Sequence, residues 1–304
     1  MLLSRTKSGL MRTRTGSDIW FEILVFTIMT VFLILCLYPL YFVLIASISD
    51  PQYVLTGNVI LFPRGVSLEG YMRILRDSRI WTGYWNTIVY TTVGTTINVV
   101  ITIMGGYALS RKEMPGRRII LFFIVFTMFF NGGMIPTFMV VRGLGLLDTI
   151  WAMVLPNALQ VMNLLIARTY FEVNIPDELV DASMIDGCST LRFFGMIVVP
   201  LSGAIIAVMI LFYAITHWNS FFNALLYLTS PDRHPLQIIL RNILLTNQPD
   251  AAMVDDVATI MERQRLFGLI QYGVIVVGSA PLLMMYPFVQ RYFVTGVMIG
   301  SIKG

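Results

Sequence analysis

Six long apolar runs alternate with segments that hold all the Asp, Glu, Lys and Arg residues of the chain. The runs lie at 23–49, 80–110, 119–141, 149–167, 193–231 and 266–290. A hydrocarbon core of about 30 Å needs about 20 apolar residues in a helix. The pattern therefore predicts an all-α integral membrane protein with six transmembrane helices. The fifth run exceeds one span, and Pro200 and Pro231 limit its predicted helix to 201–226.

The composition indicates that this chain is embedded in a lipid bilayer. Of its 304 residues 57% are hydrophobic and 12% are charged, against about 25% charged residues in a typical soluble domain. A soluble domain of this size could not bury so much apolar surface. The pI of about 9.1 is explained by basic residues beside the membrane, so no nucleic-acid partner is expected.

The distribution of basic residues predicts the orientation. Positive charges precede the first run and fill the short segment after the second, "SRKEMPGRR" at 110–118, and all three lysines fall on the same predicted side: Lys7, Lys112 and Lys303. Basic loops stay in the cytoplasm, so both termini are expected there, with 1–18 as a cytoplasmic N-terminus and 19–304 as a six-helix transmembrane domain. The first run could instead be a signal peptide, but it is longer than the usual hydrophobic region of about 7–15 residues.

The centres of the predicted spans carry little polar chemistry. They contain no Asp, Glu, Lys or Arg, and His217 is the one titratable group well inside a run. Glu22 is expected to anchor the first span at the interface. The sequence contains neither HExxH nor GxxxxGK[ST], which would hold zinc or cradle nucleotide phosphates. We therefore expect no catalytic residue, no metal and no cofactor in this chain. If the protein moves a solute uphill, the energy must come from another subunit.

The segment "PDELVDASMIDGCSTLRFFGMIVVP" (176–200) is the predicted docking element for such a subunit. Acids follow Pro176, where a helix N-terminus favours negative charge. Gly187 is placed to end this helix in the left-handed conformation, and Ser189 or Thr190 can cap a second helix. That second helix has an apolar face of Phe193, Phe194 and Ile197 and is expected to end at Pro200. The alternative is a solvated amphipathic connector.

The same segment resembles the "EAA" loop of the membrane subunits of ATP-binding-cassette (ABC) importers. Asp181-Ala182-Ser183, Gly187 and Ile197 to Pro200 stand at the spacings of that motif. The resemblance covers 15–304 and is nearest to the second permease of maltose-type carbohydrate importers, as in "NGGMIPTFMVVRGLGLLDT" (131–149), "WNSFFNALLYL" (218–228) and "GVMIGSIKG" (296–304).

The resemblance implies a type I ABC importer permease in the bacterial cell membrane. Its partners would be a sister permease, an ATPase dimer that binds ATP and Mg, and an extracellular solute-binding protein. ATPase coupling would fall to the 172–200 loop, at Glu178, Asp181, Ala182, Ser183, Gly187, Ile197 and Pro200. It also implies that the long 223–265 loop enters the binding protein. The 292–304 tail, with Gly300, Ser301 and Lys303, would enter an ATPase groove. A surface loop and a tail folded onto the membrane interface are the alternatives.

Four residues are candidates for the sugar pathway. Sugars bind through hydrogen bonds and aromatic stacking, which Asn131, Trp218, Asn219 and Asn223 could provide. Trp218 and Asn219 could equally serve helix packing or an aromatic belt at the interface.

Other functions remain open at this point. The docking segment does not encode the cargo, so polyamine or phosphate import is an alternative. A self-contained secondary carrier lacks the acids or unwound helices that usually hold a coupling ion at mid-membrane. An intramembrane enzyme lacks a nucleophile with a base.

Overall fold

The chain folds into helices joined by short turns. The computed structural model describes residues 16–246 and 257–301, and these residues contain no β-strand. The helices are α1 (Gly16–Ser47), α2 (Pro51–Leu55), α3 (Glu69–Arg76), α4 (Ser78–Ser110), α5 (Arg117–Phe129), α6 (Met134–Gly143), α7 (Ile150–Val154), α8 (Val161–Asn174), α9 (Asp177–Ile185), α10 (Thr190–Phe193), α11 (Val199–Leu201), α12 (Gly203–Trp218), α13 (Phe221–Tyr227), α14 (Leu236–Thr246) and α15 (Val257–Ser301).

The described part of the chain contains helices long and apolar enough to cross a membrane three times, or up to six times if each bent pair is one span. Three single helices qualify, at Ile19–Ser47, Ser78–Ser110 and Gln264–Met285. Three bent pairs qualify if each is one span: α5 with α6, the α7 region with α8, and the segment Thr190–Leu201 with α12. The count agrees with the six predicted runs, but the third, fourth and fifth runs are broken rather than straight.

The break in the third run has a local cause. α5 and α6 meet at an angle of 115°. Gly133 between them has φ +86°, a left-handed conformation that glycine adopts without strain. The side-chain Oδ1 of Asn131 accepts a hydrogen bond from the backbone N–H of Gly133 at 2.8 Å. This turn replaces the helical hydrogen bonds and reverses much of the chain direction.

The fifth run differs from the predicted helix over 201–226. The chain stays helical through Pro200, by way of a π-helical turn at Phe194–Val198, and ends this helix at Leu201. It then bends by 81° into α12, which ends at Trp218. A π-helical turn shifts the hydrogen-bond register of the helix, and such a shift accommodates a proline that lacks its own N–H. The prediction that Pro200 itself ends the helix was wrong by one residue.

Most of the predicted outer loop at 223–265 is helical. α14 buries Leu236, Ile239, Leu240 and Ile243 against Ile74, Ile80, Ile270 and Val274 of neighbouring helices. Its apolar residues recur three and four positions apart, which forms one stripe along a helix. The expectation of a loop at 236–246 is therefore wrong, because the buried apolar stripe makes α14 part of the packed core. Residues 247–256 lie outside the described residues.

The predicted extended tail is also helical over its described part. α15 continues without interruption to Ser301, so Gly300 and Ser301 lie in its last turn, while Lys303 lies outside the described residues. Extending an existing helix avoids the cost of nucleation. A glycine costs only about 1 kcal/mol in a helix interior.

Two packed regions lie at opposite ends of α4. Near its start, Gly83 faces the backbone of Leu236 on α14. Near its end, Ile103 and Tyr107 pack in a cluster with Phe171, Phe193 and Ile205. At a rise of about 1.5 Å per residue these regions are about 30 Å apart, the thickness of a hydrocarbon core. The two regions therefore lie near opposite ends of a helix long enough to cross a membrane.

Candidate functional site

The first site is the helix–turn–helix of residues 177–201. Gly187 follows α9 with φ +68°. Its N–H donates to the carbonyl of Met184 at 3.0 Å, and the N–H of Cys188 donates to the carbonyl of Ser183 at 2.9 Å. These two bonds form a Schellman motif, which satisfies the last carbonyls of a helix. The Ser189 side chain then accepts from the N–H of Arg192 at 3.4 Å and caps α10. The predicted turn chemistry of this segment is confirmed.

The inward side of this segment is anchored in an apolar cluster. Phe193 is buried, and Phe194, Ile197 and Leu179 pack around Tyr107 and Phe171. Phe194 and Tyr107 place their ring centroids 5.2 Å apart. Ser183 is buried as well, and its hydroxyl donates to the carbonyl of Val180 at 2.7 Å. The expectation that Ser183 faces a partner is therefore wrong, because its position on α9 directs it into the core.

The outward side of the segment has no cover within the described chain. Glu178, Asp181, Ala182, Gly187 and Pro200 are all exposed, as predicted for a docking surface, and Ile197 is half-buried. The surface also carries bare apolar side chains. Ile185 is 87% exposed and Leu191 78%, and Met184 and Met196 are exposed beside them. The surface formed by Ala182, Met184, Ile185, Leu191 and Met196 is here called the docking face. The sequence did not predict this exposure, because apolar side chains on a helix are more often buried than exposed.

Ion pairs hold the start of α9 against the loop between α4 and α5. Lys112 Nζ lies 3.1 Å from Asp177 Oδ2, and Arg111 lies 3.4 Å from Asp177 Oδ1. Hydrogen bonding from the Lys112 ammonium, followed by its charge, lowers the pKa of Asp177. Arg111 also donates to the carbonyl of Ile175 at 3.0 Å. The basic loop used to predict orientation thus also positions the docking segment.

A second ion-pair group fastens the same loop to α8. Glu172 accepts from Arg117 and, at 2.5 Å, from Arg168 one turn earlier on its own helix. Arg117 and Glu172 are 55 positions apart, and no periodicity connects them. Only the fold could have shown this pairing.

The four sugar-pathway candidates do not form one site. Trp218 is 4% exposed, and its Nε1 donates to the carbonyl of Gly278 at 3.0 Å, so its ring serves packing between α12 and α15. Asn131 is exposed at the α5–α6 break, and Asn223 is half-buried on α13. Among the four, only Asn219 lines the cavity described next.

A cavity of about 510 Å³ lies where the end of α12 meets α13, α14 and α15. Its polar lining consists of Asn219, Gln237, Arg241 and Ser279, and Phe221 contributes an aromatic ring. The Cζ atom of Arg241 lies 5.5 Å from the ring centroid of Phe221. Gln237 and Arg241 were not singled out from the sequence, although they stand four apart on α14 and therefore share a helix face.

These features describe a helical membrane protein with an exposed apolar face near one end of α4 and a polar cavity near the other. No protein-family model matches the chain. The polygalacturonan/rhamnogalacturonan transport system permease protein YtcP of Bacillus subtilis is 38% identical over 287 residues, 93% of this chain and 98% of that protein. The arabinooligosaccharides transport system permease protein AraQ of Halalkalibacterium halodurans is 27% identical over 277 residues, 89% of this chain and 92% of that protein.

A solved structure has the same fold. A chain of a bacterial ABC transporter involved in the import of the acidic polysaccharide alginate matches with a TM-score of 0.80 and 32% identity, covering 92% of this chain and 99% of that one. The chain therefore belongs to the permease subunits of carbohydrate ABC importers. It is an integral protein of the cytoplasmic membrane and not an enzyme, because a separate subunit of such transporters hydrolyses ATP.

Proposed function

We propose that this chain and a sister permease together form the translocation pathway of an importer for acidic oligosaccharides. An ATPase dimer, which binds ATP and Mg, docks on the 177–201 segment from the cytoplasm. An extracellular solute-binding protein delivers the sugar at the opposite end. Both termini of this chain then lie in the cytoplasm, as the basic segments at 1–14 and 111–118 predict.

The docking face is the observation that carries the coupling part of the proposal. Its bare apolar side chains lie on a segment whose other side is packed into the membrane domain through Phe193. A movement of the bound ATPase would therefore displace Tyr107 on α4 and Phe171 on α8 through direct side-chain contacts. Exposed apolar patches of this kind mark protein interfaces, and Ala182 and Gly187 leave room for a close approach.

The substrate class is proposed from the relatives. YtcP is named for polygalacturonan and rhamnogalacturonan, and the solved transporter for alginate. Galacturonate and alginate units carry a carboxylate on the sugar ring. AraQ is named for arabinooligosaccharides, which are neutral, but it is less similar to this chain than YtcP is. We therefore place uronate-containing oligosaccharides ahead of neutral ones.

The test of coupling replaces one residue of the docking face. The complete transporter is purified with its sister permease, and retention of the ATPase is measured for Ile185→Lys. A charge at this apolar contact is expected to lower retention by about tenfold or more, since desolvating an unpaired charge costs several kcal/mol. Leu55→Lys is the matched control, since Leu55 is 67% exposed on α2, which packs against α15 near Gly268.

Uptake into proteoliposomes separates this function from that of a secondary carrier. Uptake is expected to require ATP on the docking-face side and to persist after ion gradients are collapsed. Uptake on an ion gradient without ATP, or full ATPase retention by Ile185→Lys, would contradict the proposal.

A further inference from the structure

The cavity beside Arg241 borders the apolar, membrane-length span of α15. Its α15 wall includes Val274, Gly278 and Leu282, which fall inside the apolar span Gln264–Met285. The hydrogen bond between Trp218 and Gly278 ties the end of α12 to the same level. Polar residues beside such a span are costly in lipid and face either protein or a water-filled path.

Arg241 carries a charge beside an apolar span but has no ion-pair partner among the described residues. The side chain is exposed, and among the described residues no carboxylate lies within ion-pair distance of its guanidinium. Arg233 and Arg265, by contrast, lie 3.6 Å from Asp148 and 3.5 Å from Glu69. The contact that Arg241 does make is with the ring of Phe221, over which its guanidinium lies. A cation–π contact supports the charge and leaves the N–H groups at the guanidinium edge free to donate.

The other polar groups of the cavity suit a sugar. Asn219, Gln237 and Ser279 offer donors and acceptors for hydroxyl groups, and Phe221 offers a ring. Gly278 adds no side chain at the wall formed by α14: a Cβ there would lie 3.0 Å from Leu240 Cδ1 and 4.0 Å from Gln237 Nε2, and would crowd the cavity. A cation among neutral hydrogen-bonding groups matches a ring that carries one carboxylate and several hydroxyls.

We propose that Arg241 binds the carboxylate of an acidic sugar unit in this cavity and thereby selects uronates over neutral sugars. A guanidinium holds a carboxylate through two parallel N–H···O bonds, which an uncharged ester cannot reproduce. Asn219, Gln237 and Ser279 orient the hydroxyl groups of the same unit. This inference rests on the proposed substrate class.

The test compares an acid with its ester in the complete transporter. Uptake of trigalacturonate and of its methyl ester is measured in proteoliposomes that contain all subunits and the binding protein. Arg241→Gln is expected to lower kcat/KM for the acid by about tenfold or more, the effect of losing a hydrogen-bonded charge, and to change uptake of the ester by less than about twofold. Arg241→Lys is expected to retain part of the preference, because it keeps the charge without the fork.

Arg73→Gln is the matched control. Arg73 is an exposed arginine paired with Glu69 on α3, away from the cavity, and this variant is expected to behave as wild type with both sugars. Recovery of the assembled complex and ATP hydrolysis without sugar are measured for every variant, to show that the complex is intact.

The outcomes separate this inference from the proposed function. An unchanged ratio of acid to ester uptake in Arg241→Gln, with wild-type transport of the acid, would overturn the role of Arg241 alone. Equal loss of both sugars together with poor recovery of the complex would show that Arg241 pairs with another subunit, and would also overturn it. A wild-type complex that imported neither sugar would overturn the proposed function and the inference together.

Discussion

Gly94 on α4 faces His217 on α12 so closely that a Cβ at position 94 would lie 2.4 Å from His217 Nε2. The histidine is 3% exposed, and its Nε2 has no hydrogen-bond partner within the described chain. The imidazole occupies a notch that exists because residue 94 has no side chain. Small residues commonly permit such close helix contacts in membranes.

We predict that Gly94→Ala destabilises the protein by about 1–3 kcal/mol, the usual cost of overpacking. The second substitution His217→Ala is expected to remove much of this cost, because the clash involves the imidazole ring. Thermal unfolding of both single variants and the double variant measures the coupling. Gly143→Ala is the control, since nothing lies within 4 Å of a Cβ there. Additive effects in the double variant would show that the contact does not limit packing.

We predict that Gly187→Leu weakens ATPase retention while leaving the permease inserted. The left-handed φ of +68° costs a residue with a Cβ about 1–2 kcal/mol, and the new side chain projects into the docking face. Gly145→Leu is the matched control: Gly145 has φ +67° and nothing within 4 Å of a Cβ, and its loop lies outside the docking segment. Both variants share the backbone strain, and only Gly187→Leu should lose the ATPase on co-purification. Equal retention by the two variants would contradict a docking role for Gly187.

We predict a pH-dependent contribution of Asp148 to stability. Its Oδ1 accepts from the N–H groups of Thr229 at 3.1 Å and Ser230 at 3.0 Å. Hydrogen bonding from the Ser230 hydroxyl, followed by its backbone N–H, lowers the pKa of Asp148. The contribution is therefore present above the unfolded value of about 3.9 and is lost as the pH falls through the lower folded value.

The variant for this test is Asp148→Asn, because asparagine tolerates the φ of +55°. At pH 7 it is expected to lower stability by about 1 kcal/mol, since charged hydrogen bonds exceed neutral ones. The difference from wild type should shrink as thermal unfolding is repeated from pH 5 towards about pH 3. A constant difference across this range would exclude a charge effect at Asp148.

We predict opposite effects for the neighbours Trp218 and Asn219. Trp218→Phe removes the indole N–H that donates to the Gly278 carbonyl and should cost about 0.5–1.5 kcal/mol of stability, with uptake per folded transporter retained. Asn219→Ala should leave the unfolding temperature near that of wild type and lower sugar uptake, because Asn219 lines the cavity. Both are measured on the same purified complexes. If Trp218→Phe lost uptake while keeping full stability, Trp218 would have a role in the sugar pathway and not in packing.

Features that depend on local chemistry were predictable from the sequence. The number of apolar runs follows from the match between run length and membrane thickness. The turn at Gly187 and the cap at Ser189 depend on the backbone freedom of one glycine and the reach of one hydroxyl. Each of these effects acts within a few residues, so a short stretch of sequence contains its cause.

Features that depend on distant partners were decided by the tertiary structure. The sequence could not show that Ser183 faces inward and Ala182 outward, because the direction of α9 depends on its packing against α4 and α8. It also could not place Arg241 over Phe221, because that placement requires α14 to be a packed helix. The packing of α14 depends on Ile74 and Ile270, which bury its apolar stripe and are distant in the chain. Burial and ion pairing depend on distances between residues far apart in the chain. Those distances are determined only when the helices pack together.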